Sequence, residues 1–190
     1  MLKMNYWTDK WDLNEDVCPC DVHFNAWVEE HRLRNQRIYH FGTGTHHVMG
    51  VRQAENGLGN TVFAITASIE EYQAYIQLMS ENSRVARNYL AYFGDIYLSN
   101  PRLLPEFDVV TMFHLCEFFF PNTASAEYGG MTDRKMLDLF TAKTRRGGHL
   151  LFYTRSCAFD HAKPVIAEWA REQPVERVGE FKTLLIYRKR

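Results

Sequence analysis

Arg37-Ile38-Tyr39-His40-Phe41-Gly42-Thr43-Gly44-Thr45-His46 decides the fold. Its first five residues are β-branched or aromatic enough to read as a strand, and the glycines then break it. A helical pattern follows from His46 to about Glu55 and stops at Asn56-Gly57. A strand, a glycine turn and a helix are the first unit of a parallel α/β sheet. Gly42 and Gly44 permit positive φ and close approach of a ligand to the backbone. The unpaired amides at the start of the next helix favour an anionic group.

Further βα units follow. Val62 to Thr66 reads as a second strand. Ser68 with Glu71 forms a capping box before a helix whose expected apolar face is Ile69, Tyr72, Ile76 and Met79. Asn88 to Phe93 reads as a third strand, and Phe107 to Phe113 as a fourth, with almost no polar alternation. A strand covered by helices on both sheet faces looks like that. Thr132 caps a helix expected to end at Gly147-Gly148, and His149 to Tyr153 is the fifth strand. Pro164 opens or kinks a helix, and Val175–Phe181 and Thr183–Tyr187 are a closing hairpin. The fold class is α/β, a doubly wound, mostly parallel seven-stranded sheet with helices on both faces. Residues 1–35 are expected to be a helical or irregular appendage, with Ala26 to Leu33 its best helix, and 36–190 the main Rossmann-like domain.

Composition narrows the function. The 190 residues are 46% hydrophobic and 24% charged, ordinary for one globular domain. A net charge of −1 supplies no field for nucleic acid or an anionic membrane. The apolar run Phe107 to Phe120 is interrupted by Asp108, His114 and Glu117 and is too short to span a bilayer. Charges at Lys3, Asp9, Lys10 and Asp12 argue against a signal peptide, so a cytoplasmic location with reduced cysteines is expected. Cys18-Pro19-Cys20 with His23 lacks the usual spacing of a zinc site and reads as a local turn; no metal is expected. A dehydrogenase fingerprint would need glycine where His47 stands, and no P-loop motif occurs.

The stretch from Ile38 to Ile186 resembles the class I S-adenosylmethionine-dependent methyltransferases. Tyr39 to His46 sits at the family's glycine-rich motif. Gly94-Asp95-Ile96 resembles the segment whose acid contacts the adenine amino group. Phe107-Asp108-Val109-Val110 resembles the fourth-strand motif, with Phe113-His114-Leu115 where family members line the transfer site. Gly147 to Leu151 resembles the turn into strand five, and Lys182 to Arg188 the last, antiparallel strand. Tyr6-Trp7 with Trp11 is similar to the N-terminal aromatic segment of members acting on small molecules.

The resemblance implies strand order 3-2-1-4-5-7-6 and S-adenosyl-L-methionine as cofactor. It implies cofactor contacts from His40, Gly42, Thr43, Gly44, Thr45, His46, Thr66, Asp95, Ile96 and Phe113. The acceptor is expected to be a small molecule, with His114 as base and Glu117 orienting base or substrate. Phe118, Phe119 and Phe120 are candidates for an apolar acceptor wall. The sequence departs from the family pattern at His40, where an acid is usual, at His46, where a glycine is usual, and at Thr66, where a ribose-binding acid is usual. Each lost charge-assisted hydrogen bond is worth about 1.5–3 kcal/mol. The alternative expectation is therefore a methyltransferase-like binding or assembly module without transfer. His46 and His47, at the positive end of a helix, are expected to be neutral. Trp7, Trp11 and Phe24 are expected to be exposed, as a homodimer face or a lid.

Overall fold

The structure is a computed structural model that describes Tyr6 and residues 8–119 and 130–190. Trp7 and Phe120 lie outside the described residues. A seven-stranded sheet forms the frame: β1 (Arg37–Phe41), β2 (Thr61–Thr66), β3 (Tyr89–Phe93), β4 (Phe107–Thr111), β5 (Thr144–Tyr153), β6 (Val175–Phe181) and β7 (Leu184–Lys189). The order is β3-β2-β1-β4-β5-β7-β6. Pairs from β3 to β5 are parallel, while β7 is antiparallel to both β5 and β6.

The helices are α1 (Cys20–Glu30), α2 (Val48–Glu55), α3 (Ile69–Glu81), α4 (Ser83–Asn88), α5 (Asp133–Lys143) and α6 (Phe159–Glu172). They bury the two sheet faces separately. Tyr39, Phe41, Val110 and Phe152 meet Met136, Phe140, Ile166 and Trp169 of α5 and α6. Ile38, Val109, Phe113 and Leu151 meet Phe24, Trp27, Met49 and Val85 on the other face. Successive residues of one strand thus serve opposite cores, which is why β1 and β4 carry no solvent-facing polar alternation. Among the described residues, no helix is long and apolar enough to cross a membrane.

Several expected boundaries move. Strand β4 ends at Thr111, two residues early, and Phe113 is buried in the turn beyond it. Helix α2 starts at Val48, because His47 takes a left-handed φ of 45° at its N-cap. Helix α1 begins behind Pro19, well before Ala26, and Phe24, expected on the surface, is fully buried. Gly147-Gly148 does not end a helix. It lies inside β5, where the register against β4 shifts, and a Cβ on Gly148 would sit 2.7 Å from the Asp108 carbonyl oxygen. Pro164 lies within α6 rather than opening it. Ile69 and Ile76 of α3 are exposed, whereas Glu71 and Tyr75 face inward. The cause of that rotation lies at the crevice.

Candidate active site

A cavity of 540 Å³ opens beyond the carboxyl ends of β1, β2 and β4, where ligands bind in open α/β sheets. Its floor is the turn after β1. Gly42 and Gly44 have φ of 90° and 56°, which only glycine adopts freely. The turn is closely flanked: a Cβ on Gly42 would lie 2.8 Å from the His114 ring, and one on Gly44 would lie 2.2 Å from His46 Nε2. The imidazoles pack against the glycines, yet the cavity remains open past them, walled by Asp21, Thr66, Glu71, Asp95, His114 and Phe118.

Nine of the expected site residues line this cavity: Gly42, Thr43, Gly44, His46, Thr66, Asp95, Ile96, His114 and Glu117. Three do not. Phe113 is core, packed on Phe24 and His40. Thr45 faces the N-terminal segment, its amide donating to the Trp11 carbonyl at 2.9 Å and its hydroxyl to Asp12, so that amide is not bare as expected. His40 is buried behind the wall, with Nδ1 2.9 Å from the Thr111 hydroxyl. That hydroxyl is turned toward the Tyr39 carbonyl, so it accepts from Nδ1.

Where the two motif positions lack acids, carboxyl groups from neighbouring elements line the cavity. Asp21, the second residue of α1, is 6% exposed and places Oδ1 3.6 Å from His40 Nε2, a buried nitrogen without a hydrogen-bond partner. Burial opposes the charge of Asp21, but His40, then His46 and His114, outweigh it and hold the carboxyl below its usual range. Glu71 does the same at the end of β2. Its Oε2 accepts from Thr43 Oγ1 at 2.9 Å and from Thr66 Oγ1 at 2.6 Å. The capping box is therefore half made. Ser68 Oγ accepts from the Glu71 amide, but the Ser68 amide donates to Thr66 and the carboxylate turns into the crevice. That turn rotates α3 and exposes Ile76. Neither acid was singled out by sequence reading; the capping-box spacing was the only signal for Glu71, and Asp21 left none.

The histidines divide. His47 Nε2 donates to the Glu71 carbonyl at 2.9 Å, so Nδ1 accepts from the Tyr89 hydroxyl at 2.8 Å. Burial pushes its pKa down to about 4, and burial also lowers that of His46. Both are neutral, as expected, through desolvation. His114 goes the other way. Burial disfavours its charge, but Glu117, with Oε2 3.0 Å from Nδ1, outweighs it and lifts His114 to about 9. An imidazolium has no lone pair to take a proton, so the expected base is a cation at neutral pH. Glu117, held low against burial by His114, also accepts from the Ser156 hydroxyl. Asp95 accepts from the Tyr97 amide at 2.9 Å, and burial raises its pKa. Phe118 leans on Phe41 and Trp11 at the rim, where Trp11 is 45% exposed. Among the described residues, no group of three or more His, Cys, Asp or Glu is arranged to hold a metal ion.

No protein-family model matches the sequence, and no curated protein matches it either. Solved structures do match in fold. A methyltransferase from Pyrococcus furiosus superposes with a TM-score of 0.63 at 15% identity, over 99% of this chain and 89% of that one. The methyltransferase domain of the bacterial CtHen1-C gives 0.57 at 10% identity, over 89% and 96%. Coclaurine N-methyltransferase, bound to N-methylheliamine and SAH, gives 0.51 at 16% identity over 70% of this chain; the match spans 35% of that longer protein. The chain therefore has the class I methyltransferase-like fold.

Proposed function

We propose that the protein is an S-adenosylmethionine-dependent methyltransferase acting on a small-molecule acceptor. One observation carries this: three buried carboxyl groups, Asp21, Glu71 and Asp95, converge on the cavity at the glycine turn. The ligand offers an ammonium, two ribose hydroxyls and an exocyclic amine, all donors that need acceptors. Asp21 suits the ammonium, Glu71 Oε1 the ribose hydroxyls and Asp95 the amine. His114, as a cation beside Gly42, suits the ligand's carboxylate. The donor set thus fits the cofactor, although two of its acids stand at unexpected positions.

When bound, the cofactor supplies an already activated methyl group, so the protein has to align the acceptor and exclude water. Trp11 and Phe118 narrow the rim, and Glu117 fixes the His114 ring. With His114 protonated, the site suits an acceptor that presents a free lone pair or arrives deprotonated. The small net charge and the enclosed crevice favour a small molecule over a nucleic acid. Calorimetry with S-adenosylmethionine and its demethylated product tests the proposal. Saturable micromolar binding, weakened by Gly44→Val and Asp95→Ala, is the expected result. No binding at millimolar ligand would leave a binding module on the same scaffold, a reading that the imidazoles packed on Gly42 and Gly44 favour.

A further inference from the structure

We infer that Cys18 and Cys20 are an oxidisable thiol pair, a modification site at which a hydroperoxide closes a disulfide on the wall of the crevice. Both cysteines line the cavity, and their sulfurs lie 3.5 Å apart across Pro19, whose φ of −81° and ψ of 11° make the turn. A disulfide needs ~2.05 Å between sulfurs, so the pair must close by roughly 1.5 Å. Cys18 is half-buried and reachable from the cavity, whereas Cys20 is 3% exposed, its sulfur 3.6 Å from Asp21 Oδ1. The two therefore differ in role: Cys18 meets the oxidant and Cys20 resolves it.

The surroundings support that division. The hydrogen bond from Cys20, and the His114 cation, bring Cys18 down to about 6, against the burial that opposes them. The other three thiols are raised: Cys20 mainly by its bond to Cys18 and by burial, Cys116 to about 12 by burial and Asp133, and Cys157 by burial. Only a thiolate attacks a peroxide efficiently.

The chemistry balances. The Cys18 thiolate attacks one oxygen of hydrogen peroxide and the O–O bond breaks. Cys18 becomes a sulfenic acid, and the departing hydroxide leaves as water with the proton that Cys18 had shed. The Cys20 sulfur then displaces hydroxide from Cys18, forming the S–S bond, and that hydroxide takes the Cys20 proton as a second water. Two thiols lose two electrons, and one peroxide gains them. A dithiol reverses the step by exchange.

The test uses the reduced full chain and stoichiometric hydrogen peroxide. Intact mass should fall by about 2 Da as the pair joins. Peptide mapping should show residues 18 and 20 blocked to alkylation, with Cys116 and Cys157 still free. Before oxidation, Cys18 should alkylate at pH 7 at least ~10-fold faster than Cys157, from its larger thiolate fraction. Cys20→Ser should instead accumulate a dimedone-reactive sulfenic acid at Cys18, and Cys18→Ser should show neither product. No mass loss, a bond mapped to Cys157, or direct over-oxidation of Cys18 in the wild-type chain overturns the inference. None of these readouts depends on cofactor binding.

Discussion

Glu71 offers the sharpest handle on the crevice, through a double-mutant cycle of Glu71→Gln and Thr66→Val. The carboxylate is 3% exposed, and one of its oxygens accepts two hydroxyl bonds, the shorter from Thr66 at 2.6 Å. A hydrogen bond to a charged group is worth about 1.5–3 kcal/mol, and a neutral one about 0.5–1.5. Glutamine still accepts from both threonines but without the charge, so the Thr66 bond should weaken by about 1–1.5 kcal/mol. The single substitution mixes this loss with relief from burying an ion, which has the opposite sign. In the cycle that burial contribution cancels, leaving a coupling of about 1–1.5 kcal/mol between positions 66 and 71 in urea unfolding. Calorimetry on the same four proteins reads the second role. Glu71→Gln should weaken the demethylated cofactor roughly 10- to 100-fold, as loss of one charged acceptor implies. Thr66→Val should weaken it less than about 3-fold, because Thr66 acts through the carboxylate. Coupling below about 0.3 kcal/mol, or a larger binding loss from Thr66→Val than from Glu71→Gln, refutes the reasoning.

Two further outcomes follow from the same geometry. Gly44→Ala should cost about 1–2 kcal/mol in thermal unfolding, since an L-residue resists the φ of 56° and its Cβ would displace the His46 ring that accepts the Val48 amide; an unchanged melting temperature would show the turn to be slack. His114, lifted from 6.5 to about 9 by Glu117 against burial, contributes stability that is fully present below pH 6.5 and lost as pH rises through 9. Cys18, lowered from 9.0 to about 6, contributes with the opposite slope over much of that range, so the measurement belongs in a Cys18→Ser background. There the urea midpoint should fall as pH rises above 6.5, by less than about 3 kcal/mol equivalent because the share of the lift owed to the Cys18 thiolate is gone, and His114→Gln should flatten the fall; a flat profile before that substitution would mean the ring is uncharged.

The sheet was legible because the strand stretches buried on both faces are largely apolar: Ile38 to Phe41 is so apart from His40, and Phe107 to Thr111 apart from Asp108 and Thr111. The glycine turn was legible for a similar reason, since positive φ at Gly42 and Gly44 leaves little choice of residue. Element ends were less so. Gly147-Gly148 carries the signature of a helix stop, yet the same pair also fits a strand bulge, and only the Asp108 backbone pressed against Gly148 selects between them. The crevice was read in part. Residues adjacent in sequence to the turn were found, but Asp21 is 19 positions before His40 and meets it only through the packing of α1 on the sheet. Glu71 was visible as a capping residue, and local sequence cannot say whether its carboxylate closes the box or turns away.

Two of the three departures from the family pattern, His40 and Thr66, become intelligible as complements to those acids. Thr66 Oγ1 accepts from the Ser68 amide and donates to Glu71, a pairing that needs a group able to do both. An acid at position 66 would set a second carboxylate within about 3 Å of the first, and two such groups cannot both ionise without a large cost. A chain with Glu71 facing inward therefore cannot also carry the usual acid on β2. His40 stands in a similar relation to Asp21: a carboxylate there would repel its neighbour, whereas the ring places Nε2 3.6 Å from Asp21 Oδ1 and is the foremost of the groups that lower the Asp21 pKa. In each case a helix carboxylate, Asp21 or Glu71, stands one side chain away from the strand position where the resemblance leads one to expect an acid, and His40 and Thr66 are residues that can sit beside it.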